Sequence, residues 1–471
     1  MQTRSSRFAF AFASLAVILA TAACGGGGDD ATDQTAAAAD AERATAQARR
    51  RPPPPPPPPA PTSDATLALA SANASGQATE GSVCGVSAGG GKVAFTSRSD
   101  NLVSGDTNGG VDLFVKDFNG NGVTRVVAGS SFNPIVCLAL TPDANTVAFV
   151  AYVTTAGQIA AGAAGSELAI LVRNAATGVQ TRVTPPLNTF ANVDAYEFAG
   201  VSDDGRRVAF IAQPTRTCSL FDCTALGPAR MLLRDLTTGQ LINLESQARF
   251  TTSQGLANGD ARLSPDGRTL AFSSSAPYPE LGDTNIKSDV FALDIASGSV
   301  RLVNTDAAGR QIAFAGFQGA GPTFGVQDFL ANNTRIGFHA GFDTDAGAAG
   351  IYVKDLASGS LTRVLGSVGG IVGYRARVSF SDDGRKAAYV VSTGNTATGN
   401  SVPTVQDLAS GAVLNAATLS NGTVGNGRTT VSALLSRDGT VAAFDNNSTN
   451  LLGGLSPLGG AELRAYRKRL P

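Results

Sequence analysis

Two short stretches, "ARLSPDGRTLAF" at 261–272 and "VFALDIASGSVRLV" at 290–303, decide the fold. In the first, apolar residues lead into Ser264-Pro265-Asp266-Gly267 and an apolar run then ends at Phe272. Asp-Gly is the favoured pair for a tight hairpin turn that needs a positive φ. In the second, two alternating runs flank Asp294-x-x-Ser297-Gly298, which reads as a second hairpin. Together they make four short antiparallel strands joined by two tight turns.

The unit recurs. "GVSAGGGKVAF" (85–95), "LALTPDANTVAF" (138–149), "GVSDDGRRVAF" (200–210), "DFLANNTRIGF" (328–338), "VSFSDDGRKAAY" (378–389) and "ALLSRDGTVAAF" (433–444) repeat its first hairpin. The anchoring aromatics are Phe95, Phe149, Phe210, Phe272, Phe338, Tyr389 and Phe444, with steps between 51 residues (Phe338 to Tyr389) and 66 (Phe272 to Phe338). Asn333 takes the turn position held elsewhere by glycine, a conformation asparagine tolerates. "LLRDLTTGQLINL" (232–244), "IYVKDLASGSLTRV" (351–364) and "PTVQDLASGAVLN" (403–415) repeat the second hairpin. Sheets of four short strands at such a period are the units of a β-propeller.

The seventh unit lacks its last strand: "AELRAYRKRLP" runs to the end without an Asp-x-x-Ser-Gly turn. At the other end "TLALASANASGQA" (66–78) resembles "SVRLVNTDAAGRQ" (299–311), a fourth strand with its outgoing loop. The expected fold is therefore all-β: a seven-bladed β-propeller over 66–471, closed by an N-terminal strand that covers an otherwise open edge.

The signature Ser-x-Asp-Gly-(Arg)-x-Val-Ala-Phe followed by Asp-Val-Phe-x-x-Asp-x-x-Ser/Thr-Gly, best seen in 264–272 with 289–298, resembles the WD-like propeller repeats of the TolB type. That resemblance spans nearly all of 66–471. It implies a propeller and either a periplasmic protein-binding scaffold or the propeller half of a peptidase. A peptidase would need an α/β-hydrolase domain as well, for which 66–471 leaves no length.

The N-terminus reads as an export signal. Arg4 and Arg7 precede an apolar run from Phe8 to Ala20, too short for a spanning helix. It ends in Thr21-Ala22-Ala23-Cys24, which looks like a bacterial lipobox with threonine where leucine is usual. The expectation is a signal peptide over 1–23, lipidation of Cys24, and sorting to the outer membrane, since Gly25 and Gly26 follow the cysteine. Residues 24–65 form a low-complexity Ala/Pro-rich tether. Its Pro52–Pro59 run suits a stiff spacer of about 3.1 Å per residue, and the segment cannot build a core.

The remaining cysteines, Cys84, Cys137, Cys218 and Cys223, are even in number, which in an exported chain favours disulfides. Cys218 and Cys223 share one loop and are expected to pair with each other, and Cys84 with Cys137. Cys84 and Cys137 lie at near-equivalent places in the innermost strands of adjacent units. CxxC spacing is absent and His339 is the one histidine, so a zinc site is disfavoured.

Composition narrows the function. A net charge of −1 without a basic stripe argues against nucleic acid. With no tryptophan and seven tyrosines, there is little to stack on sugars. Gly85-Val86-Ser87-Ala88-Gly89 matches the nucleophile-elbow pattern G-x-S-x-G, but Ser87 aligns with the turn serines Ser202, Ser264 and Ser436 in a strand–turn–strand context. An elbow needs a strand-to-helix turn and a histidine in reach. "GGGK" (89–92) is followed by Val93 where a P-loop requires Ser or Thr.

Two acidic loops recur: "SGDTNGGVD" (104–112), with Asp106, Asn108 and Asp112, and "LGDTNIKSD" (281–289), with Asp283, Asn285 and Asp289. Alternating oxygen side chains of this kind bind calcium in some loops. Neither run meets the full calcium-loop pattern, so side chains bonding their own loop backbone are favoured and no cofactor is expected. The functional expectation is a lipid-anchored, monomeric cell-envelope propeller that binds another protein or peptide without catalysis. The alternative is a metal-dependent ligand binder or a hydrolytic enzyme working from the channel mouth; a channel-facing cluster of acids and arginines would discriminate. The loops between second and third strands and those leaving each blade are long and individual, and function concentrates on such loops. Arg216, Asp222, Asp106 and Asp283 on that face are the expected contacts.

Overall fold

The computed structural model describes residues 64–471 apart from 121, 155–157, 161–165, 219–222, 226, 228, 248–259, 286–287, 313–323, 331–332, 341–349, 367–377, 394–399, 430–432 and 453–462. The expected signal peptide, Cys24, the tether up to residue 63 and Asp222 lie outside the described residues. Seven four-stranded antiparallel sheets follow one another, and a two-stranded pair, Arg216–Cys218 with Cys223–Ala225, projects from blade 3. The innermost strands are Ser82–Val86, Val136–Leu140, Val193–Val201, Ala261–Leu263, Phe324–Leu330, Ser379–Phe380 and Ala433–Leu435.

Local chemistry explains the turns. Ser202 Oγ donates to Asp204 Oδ1 at 2.6 Å and accepts from the Arg207 amide at 2.9 Å. The same hydroxyl–carboxylate contact at 2.6 Å recurs at Thr141–Asp143, Ser264–Asp266, Ser381–Asp383 and Ser436–Asp438. Each such side chain closes the turn on itself. The turn's left-handed residue is Gly205, Gly267, Gly384 or Gly439, Asn333 at φ 71°, and in blade 2 Ala144 at φ 59°. The second hairpin is held by its aspartate: Asp294, Asp355 and Asp407 accept from the Ser297, Ser358 and Ser410 amides at 2.8, 2.8 and 2.7 Å.

The second-strand aromatics form the core between blades. Phe95, Phe149, Phe210, Phe272, Phe338 and Phe444 are fully buried and Tyr389 nearly so. Four of them stack on the directly opposed third-strand ring: Phe95 on Phe114, Phe272 on Phe291, Phe338 on Tyr352 and Phe444 on Tyr466, at centroid distances of 5.7, 5.7, 5.8 and 5.5 Å. A basic residue just before the end of the third strand ties each of three blades to its predecessor. Arg234 Nε donates to the Val183 carbonyl, Lys354 Nζ to the Thr305 carbonyl, and Lys468 Nζ to the Thr418 carbonyl.

Blade 7 takes its outermost strand from the N-terminal side. Leu67–Leu69 pairs antiparallel with Arg464–Arg469, with Leu67 opposite Lys468 and Leu69 opposite Tyr466. Lys468 Nζ also reaches Thr66 Oγ1 at 2.8 Å, and Asp64 Oδ2 accepts from the Ser420 amide at 2.6 Å. The likeness of 66–78 to 299–311 is exact in register: the bridge Ala72–Ala78 matches Thr305–Gln311.

Candidate functional site at the channel mouth

The residue between Ser and Asp in each first turn points the way to the site. It is Ala88, Pro142, Asp203, Pro265, Ala331, Asp382 and Arg437 in blades 1 to 7. Backbone bonds tie neighbouring turns together: the Ala88 amide donates to the Pro142 carbonyl, the Asp203 amide to Pro265, and the Asp382 amide to Arg437. The position is charged in three blades only, and those three side chains meet. Arg437 of blade 7 donates through Nη2 to Asp203 Oδ1 of blade 3 at 2.7 Å and through Nη1 to Asp382 Oδ1 of blade 6 at 2.9 Å. One guanidinium thus spans blades that are not neighbours, a reach possible only across the channel mouth.

A cavity of about 480 Å³ opens here, lined by Asp203, Asp204, Asp266, Asp382, Arg268 and Arg437 among others. Four carboxylates face two guanidiniums, so the mouth carries a net formal charge of −2. Burial pushes the Asp203 carboxyl above the usual range, Asp382 and Asp328 push the same way, and Arg437 opposes them. Burial works against the charge on Arg437, but Asp328, Asp203 and Asp382 outweigh it and hold the guanidinium protonated above its ordinary value. The arrangement is a preformed, half-buried charge cluster, the kind that distinguishes functional clefts.

The residues singled out from sequence fall elsewhere. Asp106 and Asp283 are 6% and 4% exposed, with their carboxylates turned into their own blades. Arg125 Nη1 bonds Asp106 Oδ1 at 2.6 Å, and Asp283 Oδ2 accepts from the Tyr278 amide at 3.1 Å. Both carboxylates are thus engaged within their own blades. Asn108 and Asn285 are half-buried; Asn108 Nδ2 donates to Asp112 Oδ1 at 2.9 Å, and the Asn285 amide donates to Asp283 Oδ1 at 3.1 Å. Arg216 lies on the short strand Arg216–Cys218 of blade 3. Its partner strand brings Cys218 and Cys223 opposite one another. Cys84 and Cys137 form a disulfide that joins the innermost strands of blades 1 and 2.

Ser87 is a turn residue whose hydroxyl accepts from the Lys92 amide at 2.9 Å, as its counterparts do. His339 sits in the second strand of blade 5, beside Gln327, and burial lowers its pKa to about 4. Among the described residues no group of three or more His, Cys, Asp and Glu side chains is placed to hold a metal ion. The mouth cluster was missed by a reading that weighed loop length; the signal was the one variable position inside an otherwise repeated turn.

No family model matches the chain, and no curated protein does. Solved structures are similar to it. An oligogalacturonate lyase in complex with manganese has 13% identity and a TM-score of 0.52, covering 88% of this chain and 98% of that one. The oligogalacturonate lyase of Vibrio parahaemolyticus has 12% identity and a TM-score of 0.50, covering 86% and 91%. TolB from Acinetobacter baumannii has 14% identity and a TM-score of 0.37, covering 83% and 79%. At such identities likeness speaks of fold alone, and together with the strand order it makes this chain a seven-bladed β-propeller.

Proposed function

We propose that this propeller is a non-catalytic binding scaffold of the cell envelope, tethered through a lipidated Cys24, and that its channel mouth on the Asp-Gly turn face receives a cationic group of a protein or peptide. The observation that carries this reading is the acidic cavity around Arg437, with four aspartates against two arginines. Complementary charge steers such an encounter and fixes its register. The Arg437 bridge holds Asp203 and Asp382 in place before a ligand arrives, so little ordering cost remains at binding. The Cys84–Cys137 disulfide, together with the export signal expected from sequence, supports an oxidising compartment.

The test is direct binding of fluorescent peptides bearing an N-terminal Lys-Arg pair, with Asp-Glu peptides as controls. Asp203→Asn combined with Asp382→Asn should weaken basic-peptide binding at least tenfold, about 1.4 kcal/mol, and added salt should weaken it further. Replacing 214–228 by a Gly-Ser turn should leave it unchanged. Equal binding of acidic and basic peptides, or loss of binding on the loop replacement alone, overturns the assignment. Palmitate labelling that persists in Cys24→Ala would remove the lipid anchor. The same cluster of acids and arginines, with burial raising the proton affinity of Asp203, is the feature that favours the alternative, an enzyme or ligand binder working from this mouth; that reading requires turnover of a bound substrate that Asp203→Asn abolishes while binding survives.

A further inference from the structure

Three of the first turns read Asp-Gly-Arg: Asp204-Gly205-Arg206 in blade 3, Asp266-Gly267-Arg268 in blade 4 and Asp383-Gly384-Arg385 in blade 6. Pro265 stands in blade 4 where the other two have Asp203 and Asp382, the partners of Arg437. In blades 3 and 6 the arginine lies along its own turn. Arg206 Nε is 3.9 Å from Asp204 Oδ2, and Arg385 Nε is 3.8 Å from Asp383 Oδ2. Blade 4 differs. The Arg268 guanidinium makes no hydrogen bond or ion pair among the described residues, and of the three arginines it is the one that lines the cavity at the mouth. Positions 331 and 332 of the neighbouring turn lie outside the described residues; they are alanine and asparagine and bring no charge.

Asp266 lines the same cavity. Its Oδ1 accepts from Ser264 Oγ at 2.6 Å and from the Arg268 amide at 3.0 Å, and among the described residues no cation pairs with it. The mouth thus holds one internally paired set, Arg437 with Asp203 and Asp382. Beside that set stand a guanidinium and a carboxylate with no ionic partner. On an open surface such groups are simply solvated. Here both border one cavity of about 480 Å³, a size that admits a chain end or a small molecule rather than a folded surface.

Resting on the reading that this mouth receives a cationic group, we propose that the group is the side chain of a carboxyl-terminal lysine or arginine, whose own α-carboxylate is bound by Arg268. A guanidinium offers a planar fork that matches a carboxylate with two parallel hydrogen bonds. The cation of the same residue goes to Asp266 and to the acids of blades 3 and 6, where the net charge of the lining favours it. An amino-terminal aspartate or glutamate also carries both signs, but on atoms held close together. A lysine or arginine side chain is long enough to set its cation among the acids of other turns while the carboxylate stays on Arg268.

Fluorescence anisotropy of the full chain in detergent tests this, with amino-terminally labelled Gly-Gly-Lys as the free acid and as the carboxamide. The free acid should bind about tenfold more tightly, the scale of one charge-assisted contact, and added salt should narrow the difference. Arg268→Gln should make the two peptides bind alike. Arg268→Lys should keep part of the preference, since it keeps the charge and loses the fork. Both substitutions retain the turn, because the bonds from position 268 to Ser264 Oγ and Asp266 Oδ1 come from the backbone amide. Nα-acetyl-lysine and carboxyl-terminally labelled Glu-Gly-Gly should both bind more weakly than Gly-Gly-Lys; equal binding by either overturns the assignment to a basic carboxyl end. Equal binding of acid and carboxamide by the wild type overturns the inference and leaves the cation reading standing, and a preference that survives Arg268→Gln overturns it too. If no basic peptide binds, those with an amino-terminal Lys-Arg pair included, the reading of the mouth falls along with it.

Discussion

Replacing Arg437 by methionine keeps much of its volume and removes the charge that joins blades 3, 6 and 7. The Asp382 amide still donates to the backbone carbonyl at 437, so the turn itself is kept. An ion pair near a protein surface at about 4 Å is worth about 4 kcal/mol at an effective dielectric of ~20. Here the arginine side chain is 26% exposed and each carboxylate 41%. Solvent screening on that scale reduces the two contacts together to about 2 kcal/mol. The loss should depend on pH. Asp203 already has a raised folded-state pKa, so its contribution to stability is fullest below the unfolded carboxylate value of about 3.9 and is lost as pH rises through the higher folded value. Without Arg437 the folded value climbs further and that loss at neutral pH grows. Urea unfolding followed by circular dichroism should show a deficit for Arg437→Met of about 2 kcal/mol at pH 7, shrinking below about 1 kcal/mol at pH 4, with an unchanged m-value. A deficit equal at both pH values, or larger in acid, refutes the charge-bridge account and leaves only packing.

Breaking the Cys84–Cys137 bridge by Cys84→Ser with Cys137→Ser should cost about 2–4 kcal/mol, read as a lower melting temperature that reductant does not lower further. Deleting 66–73 exposes the edge of Arg464–Arg469 and removes the Lys468–Thr66 contact, so it should lower the melting temperature far more than deleting 25–60; equal effects would mean that the strand does not hold the last blade. Lys354→Met leaves the Thr305 and Gly359 carbonyls without the ammonium they share and should cost about 1–3 kcal/mol, with faster hydrogen exchange at 305–311 and none of that change at 130–136. Arg125→Leu strands Asp106 and Asp112 and should destabilise the protein by about 3 kcal/mol at pH 7, read by calorimetry as a lower melting temperature.

Much of the fold was legible because propeller blades are built from local rules. A serine or threonine two residues before an aspartate closes its own turn, an Asp-x-x-Ser-Gly stretch closes the next, and a buried aromatic marks the second strand. None of these depends on residues far away in the chain, so each repeat announces itself. Even the displaced strand was legible, since 66–78 carries the same bridge and turn as 299–311. The Cys84–Cys137 pairing followed from equivalence as well, because positions alike in adjacent blades lie side by side.

What the sequence by itself determined is the list of units, their turns and their cyclic order. Only the tertiary structure decided what meets across the ring and what sits beside what within a blade. Arg437 and Asp203 are 234 positions apart, and neither is unusual in its own turn; their contact exists because seven twisted sheets bring the first turns of all blades around one opening. Asp106 and Asp283 looked alike as exposed loop acids and proved to be buried. Arg125 balances one pair, and the matching fourth-strand position beside the other is Leu302. A charge is read from a sequence one residue at a time, but whether it is solvated, paired or stranded depends on the three-dimensional surroundings that remove its water.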